Sequence, residues 1–217
     1  MAARLEDLGV MDYHEVHAMQ LRCVENQLSG ADEDEYVFVT EHPSVFTVGK
    51  SGTLSSLLKS REEIEACGID IIACERGGNI TYHGPGQLVV YPVVNLRRRN
   101  LSVAAFIEML EEIMVQTAAG FGVSAVRDPR NRGVWVGDNK LGSVGIRVRH
   151  GISFHGLALN VNLAVEPFSW IRPCGLTGVG VTSLAMENGG AVSMEAAKKI
   201  MLYHLKTIFG IVTEGWQ

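Results

Sequence analysis

Glycine sets the first limit on what this chain can fold into. Of 217 residues 24 are Gly, and each Gly inside a helix costs about 1 kcal/mol relative to Ala, so a bundle of helices is excluded. Tight turns and glycine-rich loops between strands are required instead. Hydrophobic residues make up 47% of the chain, enough to build one substantial core, and no repeat, low-complexity tract or long linker divides it. A single domain over residues 1–217 is expected. The formal net charge of −5 lacks the basic excess that phosphate backbones demand, which argues against nucleic acid as a partner. The N-terminal residues are acidic where a signal peptide is basic, and no apolar run approaches the roughly 20 residues that span a bilayer, so no membrane association is expected. Cys23, Cys67, Cys74 and Cys174 are widely spaced, without a CxxC pair or a His placed for zinc. Neither a disulfide framework nor a metal is expected, and a reducing cytoplasm fits best.

Helix signals occur four times. Asp12 with Glu15 precedes the apolar positions Val16, Met19 and Cys23, and Gly30 closes that segment. Ser60 with Glu63 opens a shorter helix ending at Gly68. Ser102 caps a stretch with Phe106, Ile107, Leu110, Ile113 and Met114 at helical spacing, stopped by Gly120. Ser193 opens the last helix, with Ala197, Ile200, Met201, Leu205 and Ile208 on one face and Gly210 at its end. Short β-branched runs predict strands at 36–40, 45–48, 69–73, 88–94, 123–126, 133–136, 141–148 and 157–161, with a hairpin turning at 137–139. Strands outnumber helices and do not alternate with them one for one. An α+β sheet with its helices on one face is therefore expected, rather than a doubly wound parallel sheet.

Three glycine-rich segments carry polar residues that a plain turn does not need. The first spans 76–87, with Arg76, Gly77, Gly78, Asn79, Ile80, Thr81, Tyr82 and His83 followed by Gly84, Gly86 and Gln87. Its glycines let backbone N–H groups approach a ligand, and it lacks the GxxxxGK[ST] pattern of a P-loop. In the second segment Lys140 follows the hairpin turn, where a lysine reads first as a solvated edge residue, and Ser143, Val144 and Gly145 follow it. This segment runs into His155, Gly156, Leu157 and Ala158, where His155 reads first as a core histidine. The third segment places Cys174 between Pro173 and Gly175 in a loop of repeated glycines. That is the setting of an accessible thiol among backbone donors, which makes Cys174 the best nucleophile in the chain. A base at His83 or His155 is the generic partner, and spacing alone does not choose between them.

Taken together, the 76–87 segment, the stretch from Lys140 to Gly145, the His155–Asn162 stretch and Pro173-Cys174-Gly175 resemble the lipoyl(octanoyl) transferases of lipoate biosynthesis. Order and spacing match along nearly the whole chain, and only the termini carry no recognisable motif. The resemblance implies an α+β fold, a mixed or antiparallel sheet with packed helices, related to the catalytic domain of the biotin and lipoate protein ligases. It implies an acyltransferase that carries out the first step of endogenous protein lipoylation. An octanoyl group would pass from octanoyl-acyl carrier protein to a lysine of apo lipoyl domains, those of the 2-oxoacid dehydrogenase complexes and the glycine cleavage H protein. The family's acyl-thioester cysteine falls on Cys174 and its thiol-activating lysine on Lys140. Its acyl-binding positions fall on residues 76–83, 143–145 and 156–158, and no cofactor is implied.

The residues read alone agree with that chemistry. Thioester exchange onto a thiolate is nearly level in energy, and an amine then resolves the acyl-enzyme to a more stable amide. The small residues Gly145, Gly156 and Ala158 are expected to leave room for the acyl chain. Two other readings compete: a ligase that activates a free acid with ATP, and a carrier whose glycine loops merely line a pocket. The ligase has no need of a cysteine, and the carrier gives no reason for Lys140 and Cys174 together. For docking acidic partner proteins, Arg97, Arg98 and Arg99, with Arg147 and Arg149, form the candidate basic patches.

Overall fold

The computed structural model describes residues 2–128, 131–172, 179–210 and 212–214. The main sheet runs in the order β12-β1-β2-β6-β10-β9-β8-β7. Its strands are β1 (Ala2–Val10), β2 (Glu35–Glu41), β6 (Gln87–Val93), β7 (Val126–Asp128), β8 (Asn131–Val136), β9 (Asn139–Arg149), β10 (Ile152–Asn160) and β12 (Val212–Glu214). The short β11 (Gly180–Val181) pairs in parallel with the start of β9, beyond the point where β10 leaves it. β1 runs parallel to β2 and β12, and the pairs from β2 through β7 are antiparallel. A smaller sheet of β3 (Val45–Val48), β4 (Asp70–Ala73) and β5 (Ile80–His83), in the order β4-β3-β5, stands beside it.

The mixed sheet agrees with the expected class, but the helices do not all lie on one face. Residues alternate sides along each strand. Val37, Val39, Leu88 and Val90 point into a core with Phe106, Leu110 and Ile113 of α3 (Val103–Ala119) and Met201 and Leu205 of α5 (Met194–Phe209). Phe38, Val89, Tyr91 and Val93 point the other way, against Val16 and Val24 of α1 (Tyr13–Ser29). Every residue of β6 is consequently buried. Its near-continuous apolar run is the mark of a strand covered on both faces. Each fully buried Leu, Ile or Phe in these layers contributes about 1.5–3 kcal/mol relative to exposure.

Helix ends follow their caps. Asp12 accepts from the His14 and Glu15 amides, Ser102 from Ala105 and Ser193 from Ala196, while Ser60 and Glu63 form a reciprocal capping box for α2 (Arg61–Ala66). Gly30 and Gly210 end α1 and α5 in the left-handed conformation. The strand expected at 123–126 instead starts at Val126, because Val123 and Ala125 pack into the core as a turn after α3. β1, β5, β11 and β12 and the short α4 (Leu184–Asn188) were not expected.

The run Arg97–Arg99 is not one basic patch. The Arg99 side chain is buried: Nε donates to Glu35 Oε2 at 2.8 Å, Nη1 donates to the Phe209 carbonyl at 3.2 Å, and the guanidinium lies 4.8 Å from the Phe209 ring. Glu35 also accepts from the Asn95 amide at 2.9 Å, so this pair joins β2, the loop after β6 and the end of α5. Arg98 pairs with exposed Glu33 at 3.3 Å. Removing one member of a buried pair strands the other charge, whereas an exposed pair contributes little. Arg99→Ala should therefore lower stability by about 3–5 kcal/mol in urea unfolding, and Arg98→Ala by less than about 1 kcal/mol. Equal effects would contradict this division of roles.

Candidate active site

The first two glycine-rich segments converge on one cavity of about 280 Å³, just below the roughly 300–1,000 Å³ common for ligand pockets. Arg76, Gly77, Gly78, Asn79, Ile80, Thr81, His83, Lys140, Ser143, Val144, Gly145, Gly156, Leu157 and Ala158 all line it. Tyr82 does not line it. Because β5 is a strand rather than part of a loop, Thr81 and His83 face the cavity while Tyr82 turns into the smaller core, against Phe46 and Phe168, with its hydroxyl 2.8 Å from Ser44 Oγ. Cys174 lies within 173–178, outside the described residues. The chain on either side of it is placed. The Arg172 amide donates to the Ser56 carbonyl at 2.8 Å, and Val179 and Val181 line the cavity.

Glycine's small size serves backbone approach here. A Cβ on Gly156 would stand 2.1 Å from the Val90 carbonyl oxygen, so this position lets β10 lie against β6. A Cβ on Gly145 would meet the Gly77 carbonyl at 3.1 Å and Arg76 Cδ at 3.4 Å. Gly145 thus admits the 76–79 loop over β9, where the Gly77 amide donates to the Ile146 carbonyl at 2.9 Å. The room these two glycines make is taken up by the protein's own backbone and by Arg76.

That loop carries Arg76 into the interior. Its Nε donates to Thr47 Oγ1 at 3.0 Å, Nη2 to the Thr47 carbonyl at 2.5 Å and Nη1 to the Gly77 carbonyl at 3.0 Å. All three acceptors are neutral. Among the described lining residues there are Arg76, Arg132 and Lys140 but no Asp or Glu, so the cavity favours a negatively charged group. Arg132 reaches Glu111 at 3.6 Å behind the wall. Lys140 is buried, with Nζ donating to Asn131 Oδ1 at 3.0 Å and lying 5.3 Å from the Trp135 ring centre. This corrects the reading of Lys140 as a solvated edge residue. β11 is the reason: Val181 pairs with Lys140, and the Thr182 amide donates to the Lys140 carbonyl at 3.0 Å, covering the edge of β9.

A one-way hydrogen-bond chain crosses the floor of the site. The Thr182 carbonyl can only accept, so Asn160 offers it Nδ2, at 2.9 Å, and turns Oδ1 to Gln87 Nε2, at 2.9 Å. Gln87 must then present Oε1 to His83 Nδ1, at 2.7 Å, which makes Nδ1 the protonated nitrogen. The remaining nitrogen, Nε2, faces the Thr47 hydroxyl at 3.4 Å, the same hydroxyl that accepts from Arg76. Burial, with His42 and Arg76 nearby, pushes the His83 pKa down to about 3. His155 is pushed down to about 3 as well, by burial and then by His17. Neither ring nitrogen of His155 has a hydrogen-bond partner among the described residues.

Several lining residues had no signal in the sequence. Tyr13, Tyr91, Ile107 and Trp135 come from elements whose apolar spacing reads only as core, and Asn131 and Phe168 lie outside the expected elements. Thr47, Gln87 and Asn160 act through their neighbours. Of these, Gln87 belongs to the 76–87 segment and Asn160 to the stretch that follows His155, both singled out in the sequence, whereas Thr47 carries no signal there.

Comparison with known proteins agrees with the fold and the family. The model of the family described as "Lipoyl protein ligase A/B catalytic domain" matches residues 12–206. The octanoyltransferase of Desulfotalea psychrophila is 48% identical over 211 residues, covering 96% of this chain and 95% of that protein. The octanoyltransferase of Syntrophobacter fumaroxidans is 40% identical over 215 residues, covering 99% and 92%. A solved bipartite lipoate protein ligase of Thermoplasma acidophilum superposes with a TM-score of 0.76 at 14% identity, covering all of this chain and 87% of that one, which is a likeness of fold. With a family match over most of its length and octanoyltransferases at 40–48% identity, the chain belongs to the lipoyl protein ligase A/B catalytic domain family.

Proposed function

We propose that this protein is an octanoyltransferase working through a thioester on Cys174, with octanoyl-acyl carrier protein as donor and a lysine of an apo lipoyl domain as acceptor. Its relatives at 40–48% identity carry the octanoyltransferase name. The observation that carries the mechanism is the placement of Lys140. A buried lysine lines an apolar-walled cavity that has no carboxylate among its described residues, and it pairs with the strand that ends the Cys174 loop.

The two half-reactions balance without a nucleotide. The Cys174 thiolate attacks the thioester carbonyl of the donor, a new C–S bond forms, and the carrier's thiolate leaves. The acceptor lysine amine then attacks the Cys174 thioester, an amide C–N bond forms, the Cys174 thiolate departs, and the amine's proton passes to Lys140 or the thiolate. As an ammonium Lys140 stabilises the thiolate, and as an amine it takes that proton. Arg76 supplies fixed positive charge across the cavity. The apolar wall of Ile80, Val144, Ile146 and Leu157 takes the hydrocarbon chain, whose burial is worth about 0.8 kcal/mol per CH₂. His83 is a poor base here. It is neutral, and its one unprotonated nitrogen faces the Thr47 hydroxyl.

Incubation with octanoyl-acyl carrier protein, without ATP or Mg²⁺, should add one octanoyl mass to Cys174, removable by hydroxylamine. An absolute need for ATP, or retention of the label in Cys174→Ala, would place the protein among the ligases. Lys140→Ala should shift the pH profile of Cys174 alkylation upward and slow both half-reactions. Lys140→Arg keeps the charge but cannot accept a proton near neutrality. It should retain much of the alkylation rate and lose most single-turnover transfer to the lipoyl domain, and identical behaviour of both variants with wild type would remove Lys140 from the chemistry. Nitrogen NMR of His83 should show the Nδ1–H neutral ring from pH 8 to about pH 4, because its pKa is depressed. The unfolded chain takes up that proton below about pH 6.5, so this histidine withdraws stability as pH falls. A His83 titrating near pH 6.5 would restore it as a candidate base.

A further inference from the structure

At the edge of the cavity, sharing His155 with its wall, lies a cluster to which acyl transfer assigns no role. His17 projects from α1, Glu75 precedes the 76–79 loop and His155 lies in β10. One donor atom from each falls within 4.8 Å of the others, and His17 Nε2 is already 3.3 Å from Glu75 Oε2. The two imidazoles stack with centres 5.2 Å apart and planes at 17°. His155 is 1% exposed, and both of its ring nitrogens lack a hydrogen-bond partner among the described residues. His17 Nε2 is buried too, and its contact with the Glu75 carboxylate lacks hydrogen-bond geometry. Buried polar atoms almost always find a partner, so this many orphans in one place call for a ligand.

Backbone geometry holds His155 toward the cluster. Its φ of +56° is a conformation side chains rarely adopt, and its amide donates at 2.7 Å to Gln20 Oε1, one helical turn from His17 on α1. Strain of this kind persists only where surrounding contacts over-determine it, and here it aims an imidazole at another imidazole and a carboxylate.

We propose that His17, Glu75 and His155 form a binding site for a divalent transition-metal ion of the zinc class. Two neutral imidazoles and a carboxylate are a donor set zinc accepts, leaving a fourth position for water. Tetrahedral geometry at Zn–N distances of about 2.0–2.1 Å holds neighbouring donors about 3.3 Å apart. The His17–Glu75 spacing meets this, and His155, within 4.8 Å of the pair, has to bring its ring nitrogen closer by up to about 1.5 Å to complete the set. The bound ion would fasten α1 and the loop entering Arg76 to β10. His17 and Glu75 lie outside the cavity lining, while His155 is shared with its wall, so the ion would brace that wall without entering the acyl chemistry.

The test is calorimetric titration of the metal-stripped full chain with Zn²⁺, repeated in a Cys174→Ser background to exclude the reactive thiol. One equivalent should bind in both, with affinity lowered at least about tenfold by His17→Ala and by Glu75→Gln. Co²⁺ in place of Zn²⁺ should give visible d–d bands of a four- or five-coordinate site, absent in His17→Ala. Circular dichroism of the metal-free variants should match wild type, since the His17 side chain is only partly buried, at 18% exposure, and Glu75→Gln preserves shape at a side chain 36% exposed. Failure to bind one equivalent, binding abolished by Cys174→Ser, or an isotherm unchanged by both His17→Ala and Glu75→Gln would each overturn the site.

Discussion

The Arg76 guanidinium is buried against neutral oxygens, and the rest of the site is arranged around that charge. Three hydrogen bonds to neutral oxygens engage three of its five N–H donors without cancelling the charge, so its field remains available inside the cavity. The residues that make this possible are a glycine pair that turns the loop, Gly145 that lets it lie on β9, and Thr47 on the neighbouring β3. Thr47 then passes the polarity onward through His83, Gln87 and Asn160 to Thr182, beside Lys140. The smaller and larger sheets are thereby tied across the cavity floor by a chain whose directions are all fixed by one backbone carbonyl.

Covering the central sheet on both faces gives this site its rigidity. β6 and β10 are buried along their whole length, one face under α3 and α5 and the other under α1. Catalytic groups mounted on such strands are held more closely than groups on loops. Lys140 belongs to β9, one strand further out, and is fastened from both sides: Trp135 pairs with it across the β8–β9 hairpin, and Val181 pairs with it from β11. Arg172 is thus fastened to the 3₁₀ turn at Leu54–Ser56, and Gly180 and Val181 to the lysine strand.

Much of this was legible in the sequence because caps and apolar spacing are local. All four expected helices form under the Ser and Asp caps read for them. β1 was hidden because its acidic residues break the apolar alternation, and β11 because two residues carry no period. β5 was absorbed into the glycine loop, which is why Tyr82 was grouped with residues facing the other way. The isolated reading of Lys140 failed for a similar reason, since an edge lysine and a lysine covered by a later two-residue strand look alike until the strand is placed. Arg99 shows the same limit from the other side: three consecutive arginines read as a patch, yet one is consumed by a buried carboxylate 64 positions away.

The central claim is that acyl transfer runs through Cys174 beside a buried Lys140. Kinetic competence of the intermediate tests it most directly. Octanoyl-enzyme, prepared from octanoyl-acyl carrier protein and freed of donor and nucleotide, is mixed rapidly with an apo lipoyl domain. The account predicts single-turnover transfer to the acceptor lysine at a rate no slower than steady-state kcat, with the free Cys174 thiol regenerated in step. Transfer slower than kcat, or transfer that begins only when ATP is added, would contradict it.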